Sequence, residues 1–190
     1  MMHMREKALA LLQAYNQSES LVRHGLQVEA IMRHYAQMAG EANAPEGVEY
    51  WGCVGLLHDV DYEQYPQEHC KKAVEILENA GYDGAFIHAV TSHGYGLVCD
   101  VEPQHYMEKV LYTIDELSGL IHAAAIMRPS RSVMDLEVKS VKKKFKDKKF
   151  AAGVDRQLIL DGCQRLGMEL DEVINQCILG MRAVHTAIGL

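Results

Sequence analysis

The stretch GLLHDVDYE, residues 55–63, runs out of an apolar lead-in and into His58, Asp59, Asp61 and Glu63. Burying a polar group without a partner costs roughly 2 to 7 kcal/mol, and an isolated charge costs more. Such a run therefore calls for a partner, and a metal ion is one that imidazole and carboxylate can share. Residues of the same kind recur at His24, His69, His93 and Asp115. The set holds imidazoles and carboxylates but no thiolate. That combination points to one or two divalent transition metals (iron, manganese, cobalt or zinc) rather than calcium or a structural zinc finger. No convincing Ser/His/Asp arrangement, GxSxG elbow or phosphate-cradling glycine loop competes with this reading.

The elements that must position these residues are helical almost throughout, with little strand-like alternation. The pattern predicts helices over about 5–15 and 20–39, the second ended by Gly40. Pro45 suits the first turn of a third helix that delivers His58 and Asp59, and Pro66 the first turn of a fourth, ended by Gly81. Further helices are expected over 83–93, 105–127, 154–166 and 169–188, with Pro129 and Gly167 as breaks. His24 then lies inside the second helix, His69 in the first turn of the fourth, His93 at the end of the fifth and Asp115 in the middle of the sixth. Six candidate ligands thus come from five helices, as in metal sites built in the core of a helical bundle. The expected fold class is all-α.

Length and composition allow one domain over 1–190, its motif-bearing core at about 20–128 and a basic segment and closing helices at 129–190. The formal net charge is −7, but segment 128–149 carries nine Lys or Arg against three acids, so it is +6 and the remainder −13. Bulk nucleic-acid binding is not expected. No apolar stretch approaches the roughly 20 residues of a membrane span, and the first residues carry charges where a signal peptide is apolar. A cytoplasmic protein with no membrane association is expected, with room for a homo-oligomer. The five cysteines are odd in number, scattered and free of CxxC spacing, and read as buried free thiols.

The order His24, then the adjacent pair His58 and Asp59, then Asp115 resembles the HD-domain metal-dependent phosphohydrolase superfamily. LVRHGLQVEAIMRHYA resembles that family's first-histidine helix, GLLHDVDYE its signature doublet, and MEKVLYTIDELSG the helix of its final aspartate. The likeness spans about 23–119 and implies an HD-type helical bundle with the metal centre in its core. His69 in PQEHCKKAVEIL and His93 in AVTSHG fall where the family places two intermediate histidines when a second metal is present. The layout is similar to that of bacterial HD hydrolases that split diadenosine tetraphosphate. By that resemblance His24, His58, Asp59 and Asp115 hold one metal, while His69 and His93 join a second. Asp59 then bridges the two and orients the attacking hydroxide.

The implied activity is hydrolysis of a nucleotide or another small phosphorylated metabolite through a metal-bound hydroxide. Lys109, Arg128 and Arg131 are the candidate contacts to substrate phosphates, the two arginines flanking the turn beyond the Asp115 helix. The alternatives are an HD-type di-iron oxygenase with the same ligand order and a non-catalytic module that binds a phosphoryl ligand. Each side chain also has a plainer reading. His69 and His93 could be hydrogen-bonded helix-end histidines, and His122 a satisfied core residue sharing the Asp115 face. His88 is too far round its helix from His93 to ligate with it. Asp61 and Glu63 could orient a water or cap a segment, and the run VKKKFKDKKF could be a solvated helix face.

Overall fold

The computed structural model describes residues 3–40 and 43–190, which are helical and carry no strand beyond one isolated bridge between Tyr95 and Cys99. The helices are α1 (Met4–Tyr15), α2 (Glu19–Ala39), α3 (Val48–Leu57), α4 (Lys71–Asn79), α5 (Gly84–Thr91), α6 (Tyr106–Ile126), α7 (Val138–Lys146), α8 (Arg156–Leu166) and α9 (Leu170–Arg182). Two short 3-10 turns, Pro66–Glu68 and Ser92–Gly94, precede α4 and follow α5. The expected all-α class is observed. Among the described residues no helix is long and apolar enough to cross a membrane.

Helices α2 and α6, of 21 residues each and about 30 Å long at 1.5 Å per residue, form the axis of the bundle. α2 packs against α3, α6 and α9, and α6 also packs against α8. The apolar stripe of α2 buries Val28, Ile31, Met32 and Tyr35, and that of α6 buries Val110, Leu111, Ile114, Leu117 and Ile121. α3 is buried nearly all round, from Trp51 to Leu57, as expected of a central helix without a polar face. Gly55 permits its approach to α2: a β-carbon there would sit 2.7 Å from Met32 Cγ and 3.0 Å from the Val28 carbonyl oxygen.

Two element boundaries differ from those expected. Pro45 lies in a turn rather than in a helix. Gly47, at φ 87°, makes the N-cap of α3. The helix expected from Pro66 onward is interrupted, because His69 is extended and Cys70 has φ 66°, so the helix proper begins at Lys71. The left-handed backbone at Cys70, uncommon for a residue with a β-carbon, turns the chain so that His69 points inward. The lysine-rich run does form a helix, α7, anchored by Val141 and Phe145 four residues apart.

Candidate metal centre

The apolar lead-in to His58 is α3 itself, and the polar residues begin where the helix stops. His58 is its C-cap, fully buried, and its Nδ1–H donates to the carbonyl of Gly55 at 2.7 Å. His93 uses the same device one element later: it is 4% exposed and its Nδ1–H donates to Val90 O at 2.6 Å. His69 Nδ1 donates to the carboxylate of Asp61 at 2.7 Å. His24, on α2, has its Nδ1 3.5 Å from the hydroxyl of Ser118, whose own proton goes to the Asp115 carbonyl at 2.8 Å. These partners occupy the Nδ1 side of every ring and leave Nε2 as the free lone pair.

The four Nε2 atoms face one another in two pairs. Those of His24 and His58 are 3.1 Å apart, and those of His69 and His93 are also 3.1 Å apart. Asp115 Oδ1 lies 2.9 Å from His24 Nε2 and 3.2 Å from His58 Nε2. Asp59 stands between the pairs: its Oδ2 is 3.3 Å from His58 Nε2 and 3.7 Å from His24 Nε2, and its Oδ1 is 3.4 Å from His69 Nε2 and 3.6 Å from His93 Nε2. Two unprotonated imidazole nitrogens at such separations repel unless a cation lies between them. Metal–nitrogen bonds of about 2.1 Å put neighbouring donors at a right angle about 3 Å apart, so both pairs have the spacing of ligands on a shared ion.

The electrostatics point the same way. Burial alone would keep His58 neutral, but Asp59 and Asp115 outweigh it and push its pKa up to about 10. For His69, burial is likewise overcome, chiefly by the hydrogen bond to Asp61, and the pKa rises to about 9. Burial would raise the carboxyl pKa values of Asp59 and Asp115, yet the surrounding imidazoles hold both well below the usual range. The cluster attracts positive charge, whether as protons or as metal.

All six expected ligands are therefore gathered in one place. Asp61 and Glu63 resolve into structural roles. The fully buried carboxylate of Asp61 orients His69 and accepts from Ala73 N at 2.8 Å, capping α4. Glu63 accepts from Gln17 N and Ser18 N, ahead of α2. His88 pairs with Glu108 at 2.8 Å in a separate groove, and His122 with Gln27. The thiol-free donor set needs amendment, because Cys70 Sγ lies 4.0 Å from His93 Nε2 and groups with His69 and His93. Its adjacency to His69 was the available signal.

The expected phosphate contacts are not at the centre. The donors open into a cleft of about 390 Å³ lined further by Tyr62, Gly94, Leu97, Val98, Glu116, Gly119, Val154 and Leu158. Lys109, Arg128 and Arg131 are not among its walls. Arg128 is held by Asp135 through two hydrogen bonds of 3.0 and 2.8 Å. Arg131 sits on an exposed turn with φ 50°. A roomier groove between Gln13 and Arg23, of about 460 Å³, gathers no comparable set of donors. Chemistry rather than volume therefore assigns the site. Comparison of the chain with family models, with curated proteins and with solved structures gave no match.

Proposed function

We propose that this chain is a metal-dependent phosphohydrolase of the HD-domain kind, acting on a small phosphorylated substrate at a centre with room for two metals. One observation carries the reading: two inward-facing pairs of imidazole nitrogens, each at 3.1 Å, are joined by the two oxygens of one carboxylate. The donors suit iron, manganese, cobalt or zinc. His24, His58, Asp59 and Asp115 would hold one ion, and His69, His93 and the other oxygen of Asp59 a second. Such a pair supplies a water acidic enough to attack at neutral pH and positive charge for the phosphoryl oxygens.

The rest of the work falls to the chain. Asp59, 15% exposed on its side chain, ties the two halves together and faces the cleft. Backbone carbonyls fix the His58 and His93 rings, so their nitrogens need no reorganisation when substrate arrives. Leu97, Val98, Val154 and Leu158 give the cleft apolar walls beside the donors.

Two measurements on protein purified without chelator test the reading together. Elemental analysis should give about two equivalents of transition metal per chain, and a phosphoester panel should release phosphate. Oxygen uptake by the iron-loaded protein without phosphate release would favour the di-iron oxygenase instead. Metal below one equivalent after reconstitution with iron, manganese and cobalt would remove the basis for both.

A further inference from the structure

The metal donors form only the floor of the cleft, and the walls have a different character. Leu97 and Val98 are 54% and 42% exposed and Tyr62 is 45% exposed, yet all three turn up around this one opening, with Val154 and Leu158 opposite. Large apolar side chains gathered at the mouth of a polar floor mark a place that something apolar covers. Beyond the donors, the charged residue of the wall is Glu116, and among the described residues no Lys or Arg lines the cleft. Two arginines of the α8 segment are turned to other partners, Arg165 to Asp161 and Glu102 and Arg156 to backbone carbonyls around α7.

The charge balance limits the ligand further. Asp59, Asp61, Asp115 and Glu116 place four carboxylates around the centre and the Cys70 thiol stands beside them, so two divalent cations would leave no positive surplus. A chain of phosphates is ordinarily met by arginine forks, lysines or runs of backbone N–H groups, and this cleft offers no arginine or lysine. Its volume of about 390 Å³ is also at the small end of the roughly 300–1,000 Å³ of ligand cavities.

We propose that the cleft takes a phosphomonoester with one phosphoryl head and a small, uncharged apolar body, an alkyl or aryl phosphate, and discriminates against polyphosphate nucleotides. The proposal rests on the phosphohydrolase reading and names its substrate class. The head lies on the donor floor and the body against Leu97, Val98, Val154 and Leu158. Water's oxygen forms a bond to phosphorus as the ester P–O bond breaks. The proton lost by water passes to the leaving alkoxide, and the products are inorganic phosphate and an alcohol, with no oxidant or reductant needed.

The test separates the ligand class from the chemistry. Metal-loaded full-length protein is titrated calorimetrically with n-alkylphosphonates from ethyl to octyl, which are not hydrolysed. The matching n-alkyl phosphates and diadenosine tetraphosphate are assayed for turnover. Kd is expected to tighten by about two- to fourfold per methylene until the walls are covered. Leu97→Asp, at an exposed turn position, should flatten that dependence. The esters should turn over with kcat/KM rising in parallel, above that for the dinucleotide. A flat Kd series, or a preference for the polyphosphate, overturns the apolar-body proposal whether or not phosphate is released. Binding that follows chain length without release from any ester upholds the proposed ligand class and overturns the hydrolase reading.

Discussion

The two oxygens of Asp59 face halves of the centre that are built in different ways. On the Oδ2 side the partners are His24 and Asp115, carried within the two 21-residue helices, and His58 at the buried end of α3. On the Oδ1 side His69 and His93 sit at short 3-10 turns flanking α4 and α5. The first half takes its rigidity from the bundle core, so its geometry is secured by whatever holds the protein folded. The second half depends on a few local hydrogen bonds. Damage to packing should therefore be felt as lost stability in the first half, and damage to single polar contacts as lost affinity in the second.

The most severe way to break this division is to remove what the halves share. Asp59→Ala withdraws one oxygen from each pair, and bound metal is expected to fall to background at both positions in elemental analysis. Wild-type metal content in that variant would mean that Asp59 bridges nothing.

A pair of glycines sharpens the contrast. Gly55→Ala places a β-carbon 2.7 Å from Met32 Cγ and 3.0 Å from the Val28 carbonyl oxygen, between the helices that carry His24 and His58. Overpacking of this kind costs about 1–3 kcal/mol, which urea unfolding should register. In Gly94→Ala the new carbon would meet the ends of two side chains, Cys70 Sγ and Val98 Cγ2, each at 2.6 Å. The strain falls on two short side chains rather than on a helix backbone, Cys70 beside the His69–His93 pair and Val98 on an exposed turn, so unfolding should move less than in Gly55→Ala while metal binding on the His93 side weakens. Equal destabilisation by both would erase the distinction between core-built and locally built halves.

The same difference explains what the sequence disclosed. His24, His58 and Asp115 were legible because long periodic helices fix which residues share a face, and an apolar run ending in His-Asp marks a buried terminus. The break at His69 and Cys70 was not legible, since the apolar spacing of 73–77 continues an expected helix and nothing local announces φ 66° at Cys70. In the sequence Cys70 therefore reads like the other scattered thiols. The walls left even less trace. Leu97 and Val98 carry no chemical signature, and their position depends on the turn after Gly94, where the amide groups of Leu97, Val98 and Cys99 all donate to the Gly94 carbonyl. Arg128 looked like a phosphate ligand because its charge was visible, while its engagement with Asp135, seven residues on, depends on the fold of the loop between them.

The polar contacts behind the ligands should rank the halves in the opposite order from the glycines. Asp61 is fully buried and holds His69 at 2.7 Å while also capping α4. The two donors go to different oxygens, His69 Nδ1–H to Oδ1 and Ala73 N–H to Oδ2, and Asp61→Asn replaces one of them with an NH2 that cannot accept. Affinity for the second equivalent of metal should fall about 10- to 100-fold, the usual cost of losing such a partner, with the first equivalent unchanged in a competitive chelator titration.

Ser118 is the corresponding contact on the other side, and its effect should be the smallest. Its hydroxyl donates to the Asp115 carbonyl at 2.8 Å and stands 3.5 Å from His24 Nδ1, at the limit of a hydrogen bond and weaker than the ordinary 0.5–1.5 kcal/mol. The His24 ring is instead held by its place on α2. Ser118→Ala should therefore weaken the first equivalent of metal by no more than about twofold, roughly 0.4 kcal/mol. A loss as large as that in Asp61→Asn would show that the first half, too, depends on single hydrogen bonds, and that the packing of α2, α3 and α6 is not what holds its geometry.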